Sequence, residues 1–155
     1  MQGVGDRLRS VAFAELQART AFVWAADRFP SAPEPLRQAW LRLAVEEEKH
    51  LGWLLGRMEE IGASVAERPV SSQLWESLSS CESARQFTLW MAGAEERGQS
   101  AGERLAVRLS GVDSVSAAVF AQIAREEAGH VALATRFLPL LPESLPVAGG
   151  QQGSV

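Results

Sequence analysis

Arg125-Glu126-Glu127-Ala128-Gly129-His130 contains a Glu-x-x-His step, Glu127 to His130. The same step occurs once before, in Glu47-Glu48-Lys49-His50, and these are the only two histidines in the 155-residue chain. Residues three apart share a helix face, so each step presents a carboxylate and an imidazole together. A single step of this kind is common on solvated helices. What decides the fold is where the two steps fall in the apolar pattern around them.

Around the second step the apolar ladder reads Ser116, Phe120, Ile123, Glu127, His130, Ala134 and Phe137. Its helix is expected from a cap at Asp113 to about Leu138, with Pro139 as the stop. Around the first step the ladder is Leu36, Trp40, Leu43, Glu47, His50, Leu54, Arg57 or Met58, and Ile61. That helix is expected from about Pro35 to Ile61, opened by a Ser31-x-x-Glu34 capping box and closed by Gly62. In both helices the potential ligands occupy core rungs.

The two remaining long helices each carry one glutamate on a core rung. The first is expected from a cap at Asp6 to about Phe29, with Leu8, Val11, Ala18, Phe22, Ala25 and Phe29 as its ladder and Glu15 on the intervening rung. The third is expected from Ser79 or Ser80 through Glu82 to Leu109, with Glu95 between Met91 and Gly98. No histidine fixes the phase of this helix, so Glu96 stands as the alternative to Glu95. Residues 62–80 read as one long connection with a short helical turn near Gln73 to Leu78. Such a connection carries the chain across a helical domain instead of back alongside it. The expected domain is 6–139, followed by a Pro-, Gly- and Ser-rich disordered tail at 140–155.

Glu15 and Glu47 are 32 residues apart, and so are Glu95 and Glu127. The chain therefore repeats, with an offset of 80, a helix with Glu followed by a helix with Glu-x-x-His. Two antiparallel helical hairpins related by a pseudo-twofold axis follow from this repeat. All six polar rungs sit near the middles of their helices, and middles of antiparallel helices lie at one level. Glu15, Glu47, His50, Glu95, Glu127 and His130 are thus expected in one layer of an all-α four-helix bundle. Four buried carboxylates need compensation, and two divalent cations match their charge, each with one imidazole ligand. A Glu from each of two helices with Glu-x-x-His from the other two is the ligand set of dimetal-carboxylate bundles. Glu46, Glu48, Glu96 and Glu126 lie about 100° around their helices, as surface residues or supports of the ligands.

The composition is compatible with this. Hydrophobic residues are 46% and charged residues 22% of the chain, ordinary for a globular protein. The net charge of -4, with its arginines scattered, argues against nucleic acid as the main partner. No apolar run is long enough for a membrane span and no signal peptide is evident, so the cytoplasm is the expected location. Cys81 is the single cysteine, which rules out an internal disulfide or a Cys-based metal site. Tyr is absent, which removes a tyrosyl-radical role. The five tryptophans are expected to fill core and interfaces.

The chain resembles the ferritin-like superfamily over about residues 6–139. More narrowly, Ala14-Glu15-Leu16-Gln17-Ala18, Glu95-Glu96-Arg97-Gly98 and Glu126-Glu127-Ala128-Gly129-His130 are similar to motifs of a bacterial ferritin-like family of undefined function. The superfamily resemblance implies a bridging role for Glu47 and Glu127, with Glu15 and Glu95 as terminal ligands. The narrower one implies a fold and a metal site but no substrate.

Carboxylate and imidazole ligands suit two iron ions, with manganese as the alternative. The leading expectation is a non-haem oxidoreductase that activates O2 or peroxide for a small organic substrate. Alternatives are a ferroxidase or iron-handling protein, a rubrerythrin-like peroxidase fed by an electron-donor protein, a dimanganese catalase, and a metal-stabilised bundle without catalysis. A tRNA hydroxylase fits the acidic balance poorly. Exposed helix faces allow a homodimer. Gly98 and Gly102, on core rungs beyond Glu95, suggest either a pocket beside the metals or close helix packing.

Overall fold

The computed structural model describes residues 2–66 and 69–143. Among these the protein is all-α, with α1 (Gln2–Arg28), α2 (Glu34–Glu60), α3 (Gln73–Ser79), α4 (Ala84–Leu109), α5 (Ser114–Phe137) and a final 3-10 turn, Leu138–Leu140. No helix among the described residues is long and apolar enough to cross a membrane.

α1 packs along α2, and α4 along α5. In the first pair, a Cβ at Gly5 would stand 2.9 Å from the Ala63 Cβ. At the other end the Arg37 Nε–H donates to the Ala26 carbonyl at 2.9 Å, so the two helices run in opposite directions. In the second pair Gly98 faces Glu127 and Gly102 faces Ala124, again an opposed arrangement. Contacts of α2 with α5 and of α1 with α4 join the pairs. The chain between the pairs is fastened to α1 by Gln17. Its Nε2 donates to the Ser71 carbonyl at 3.0 Å, and its Oε1 accepts from the Trp75 N–H at 3.0 Å.

The helix ends show which local signals are used. Gly62 closes α2 with φ +69, a conformation that favours glycine. Asp113 caps α5 by accepting the Ser116 N–H at 3.1 Å. It also accepts from the Arg57 Nη2 at 3.0 Å, which ties the α5 cap to α2. Other ends differ from the expectation. α1 begins at Gln2, with Val4 buried, and Asp6 sits within the helix paired to Arg9 at 2.7 Å. The Ser31-x-x-Glu34 box is not formed. Pro33 is the residue preceding α2, and Glu34 accepts from Arg37 and Gln38 instead. Ser83 caps α4 in place of Ser79 or Ser80, its Oγ accepting from the Gln86 N–H at 3.0 Å. Past Pro139, Leu141 is buried, and Arg85 donates to its carbonyl and to that of Leu138. The remainder of the expected tail, 144–155, lies outside the described residues.

Two apolar cores form. One gathers Phe22, Phe29, Leu36, Trp40, Phe87 and Phe137. The other gathers Leu8, Leu54, Met58, Leu109, Phe120 and Ile123. Phe22, Phe87 and Phe120 are at most 2% exposed, and burying a side chain of this size contributes about 1.5–3 kcal/mol. Trp40 packs edge-on against Phe87 with centroids 5.3 Å apart, as core filling. Cys81 is buried, and burial pushes its thiol pKa up. The six polar rungs lie between the two cores.

Candidate metal centre

Glu15 comes from the middle of α1, Glu47 and His50 from α2, Glu95 from α4, and Glu127 and His130 from α5. All six are buried, and none is more than 6% exposed. Glu95 faces inward and Glu96 is exposed, which resolves the phase of α4. Their side chains gather into two groups, Glu15–Glu47–His50–Glu127 and Glu47–Glu95–His130, with Glu47 common to both. Within each group one ligand atom per residue lies within 4.8 Å of the others.

The two imidazoles stack nearly parallel, with centroids 5.9 Å apart. His50 Nδ1 lies 3.4 Å from Glu47 Oε2 and 3.8 Å from Glu15 Oε2. His130 Nδ1 lies 3.0 Å from Glu47 Oε1 and 3.5 Å from Glu95 Oε2. These approaches lack hydrogen-bond geometry. Both oxygens of Glu47, His50 Nδ1 and Nε2, Glu95 Oε1, Glu127 Oε2 and His130 Nδ1 are buried with no hydrogen-bond partner. Each such group left unsatisfied costs about 1–3 kcal/mol. The donor set fits divalent transition-metal ions, which would satisfy carboxylate oxygens and imidazole nitrogens together.

The charges are unbalanced without such ions. Burial, then the neighbouring Glu47, push the carboxyl pKa of Glu15 well above its ordinary value. The same two causes lift Glu95 to about 8 and Glu127 to about 7. For Glu47, burial is outweighed by contact with Glu15, His130 and His50, which holds its carboxyl below the usual range. For His130, burial is outweighed by Glu47 and Glu95, which raise it to about 11. Glu47 is thus the anionic hub, with protons favoured on the carboxyls of Glu15 and Glu95 and on the cationic imidazole of His130.

The outer nitrogens of the imidazoles meet residues assigned from sequence to surface or support. His50 Nε2 lies 3.5 Å from Glu126 Oε2 on α5, and His130 Nε2 lies 3.4 Å from Glu46 Oε2 on α2. Glu126 in turn pairs with Lys49 and accepts from Gln122 at 3.3 Å. Glu46 and Glu126 are themselves 80 residues apart, so the repeat is Glu-Glu-x-x-His twice. That longer match is the signal that singles them out from Glu48, which is exposed and pairs with Arg19.

The glycines of α4 are packing positions, and the pocket suggested for them is closed. A Cβ at Gly98 would stand 2.8 Å from Glu127 Oε2. One at Gly102 would stand 3.2 Å from both the Ala124 Cβ and the Phe120 carbonyl. A groove of about 870 Å3 does lie between α1, residues 69–77 and α4, lined by residues such as Phe13, Gln17, Trp90 and Arg97, but by none of the six clustered residues. Phe13 and Gln17 sit two residues either side of Glu15, roughly opposite it on the helix.

Residues 2–146 match a protein-family model described as Protein of unknown function (DUF455). No curated protein matches the chain.

Proposed function

The chain belongs to that family, whose description assigns no reaction, and from the site itself we propose a non-haem dimetal oxidoreductase on a ferritin-like four-helix bundle. Iron is the metal proposed, with manganese the alternative. O2 or peroxide is the oxidant, a small organic molecule the reductant, and the cytoplasm the location. The observation that carries this reading is the set of six buried, unpartnered donor atoms (both oxygens of Glu47, His50 Nδ1, Glu95 Oε1, Glu127 Oε2 and His130 Nδ1) in two groups that share Glu47. A structural layer of ordinary polar residues would satisfy those atoms with one another.

Glu15, Glu47, His50 and Glu127 would hold one ion, and Glu47, Glu95 and His130 the other. Two such ions, when bound, supply redox chemistry with oxygen or peroxide at positions the protein leaves open. The chain's own contribution is orientation and dryness. The flanking apolar cores exclude water from the layer. Glu46 is hydrogen-bonded to His130 Nε2, and Glu126 faces His50 Nε2 at 3.5 Å, so on both rings Nδ1 is the nitrogen facing the clustered carboxylates. Glu15, Glu95 and Glu127 carry protons in the metal-free protein and release them on metal uptake.

Exposing anaerobically prepared, iron-loaded protein to O2 tests this. An oxo-bridged absorption band that forms once per chain supports the reading; no optical change counts against it.

A ferroxidase or iron-handling protein is the second reading. It is favoured by a third group, Glu46–His50–Glu126, which includes two partly exposed carboxylates at the rim of the layer. It predicts repeated turnover of Fe(II) added in excess, which the oxidoreductase reading does not.

A further inference from the structure

A small cavity adjoins one of the two groups. It has about 20 Å3 for the centre of a water-sized sphere and is walled chiefly by Phe22, Trp40, Met91, Leu133 and Ala134, reaching Glu95 and His130 at its inner end. Room of about 10–15 Å3 admits one water, so the space is on the scale of a single small guest, and apolar cavities stay dry while accepting apolar guests. Thr88 is the lining hydroxyl, and its proton is committed to the Ala84 carbonyl at 2.7 Å. The polar atoms at the inner end, Glu95 Oε1 and His130 Nδ1, are without hydrogen-bond partners in the metal-free protein and would be taken up as ligands once the ions are bound. In the metal-loaded protein the remaining walls offer little to a water and suit a small nonpolar molecule.

The internal repeat supplies a comparison within the same chain. Eighty residues separate Glu15 from Glu95 and His50 from His130, and equally Leu54 from Ala134, Trp53 from Leu133, and Phe22 from Gly102. At the Glu15–His50 end the corresponding space is taken. Leu54 is 0% exposed, and the Trp53 ring lies 5.5 Å from the His50 ring. Gly102, the counterpart of Phe22, closes directly onto Ala124 and Phe120. The exchange of Leu54 for Ala134 thus leaves room beside Glu95 and His130 where its counterpart fills it.

We propose that this cavity is a binding site for a small apolar gas, dioxygen in the working protein, beside the Glu95–His130 group alone. The choice of dioxygen rests on the oxidoreductase reading; the cavity's affinity for an apolar atom does not. The two halves of the repeat therefore differ in role: one side receives the gas and the other is sealed.

Xenon serves as the probe, in crystals of the full chain loaded with iron and pressurised with the gas. Xenon is expected between Trp40, Met91 and Ala134 in the wild type. In Ala134→Leu that xenon is expected to disappear with iron content unchanged, while the KM for O2 rises severalfold. If Ala134→Leu fails to fold, Ala134→Val is used, with reduced xenon occupancy expected. Leu54→Ala is expected to open a second xenon site beside Glu15 and His50. Ordered water in the wild-type cavity, or xenon undiminished in the Ala134 variant, overturns the proposal. Xenon bound in a chain that takes up no iron upholds the apolar site and overturns the metal reading. Iron bound with no xenon does the reverse.

Discussion

His130 Nε2 on α5 lies 3.4 Å from Glu46 Oε2 on α2, and the repeat places its mirror contact, His50 Nε2 to Glu126 Oε2 at 3.5 Å, in the same interface. Each histidine thus faces, on its outer side, a carboxylate from the helix that supplies the other histidine, with a hydrogen bond at His130 and a close approach at His50. The contacts lie in the α2–α5 interface and leave Nδ1 of each ring facing Glu47, the orientation that the proposed metal ligation needs. Glu46→Gln and Glu126→Gln are expected to weaken metal binding about 10–100-fold each, with the fold kept. Calorimetric metal titration checks this, and unchanged affinity in both variants would make the two carboxylates surface residues only.

Gly98 offers a sharper steric test. A methyl group there would meet the Glu127 carboxylate at 2.8 Å, so Gly98→Ala is expected to displace that side chain. Gly52, on an exposed part of α2, has nothing within 4 Å of its would-be Cβ. Gly52→Ala is expected to stabilise the protein by about 0.4–1 kcal/mol, whereas Gly98→Ala weakens metal binding at the group containing Glu127. Denaturant melts and metal titrations of the two variants, side by side, separate helix propensity from the steric effect.

The pH dependence of the metal-free protein has a definite sign. Glu15, Glu95 and Glu127 have raised folded-state pKa values, at about 8 for Glu95 and about 7 for Glu127. Their protonated forms favour the folded state fully below the unfolded carboxylate value of about 4.3, and that stability is lost as pH rises through 7 to 8. His130, raised to about 11, adds a loss that begins near its unfolded value. Glu47, held low, acts only in acid. The melting temperature without metal is therefore expected to fall between about pH 5 and pH 8, and metal uptake over that range to release protons. A melting temperature that rises across the window would contradict the charge assignment.

Asp113 joins the two halves of the α2–α5 contact, as the α5 cap and as the partner of Arg57. Asp113→Ala is expected to cost about 0.5–2 kcal/mol for the cap, with a further loss for Arg57. Its own carboxyl is shifted low: burial opposes the shift, but hydrogen bonds from Ser116 and Arg57 prevail. Its contribution is therefore present above the ordinary carboxylate value and fades as pH falls through the folded one. Urea melts of Asp113→Ala and wild type in acid and at neutral pH check both statements.

The sequence made the helices and the inward layer readable because long amphipathic ladders and a repeat of 80 residues are strong, redundant signals. Glu15 and Glu95 stood out for being carboxylates on apolar rungs. Helix starts were less readable, because Ser31, Ser79, Ser80 and Ser83 are all competent caps and the choice among them is made by the path of the chain. For Gly98 and Gly102 the sequence left a pocket and close helix packing both open, since whether a missing side chain leaves space depends on the opposing helix. There Glu127 and Ala124 had already closed in. The cavity beside Glu95 depends on Ala134 and its neighbours from three other helices, a combination that no single ladder reveals.

The central claim is that the six buried residues hold two metal ions through Glu47. Metal analysis of anaerobically purified wild type and of Glu47→Gln tests it most directly. The account predicts about two iron or manganese ions per chain, with both lost or nearly lost in the variant because Glu47 belongs to both groups. Wild-type protein without bound transition metal, and a Glu47→Gln variant that behaves identically, would contradict it.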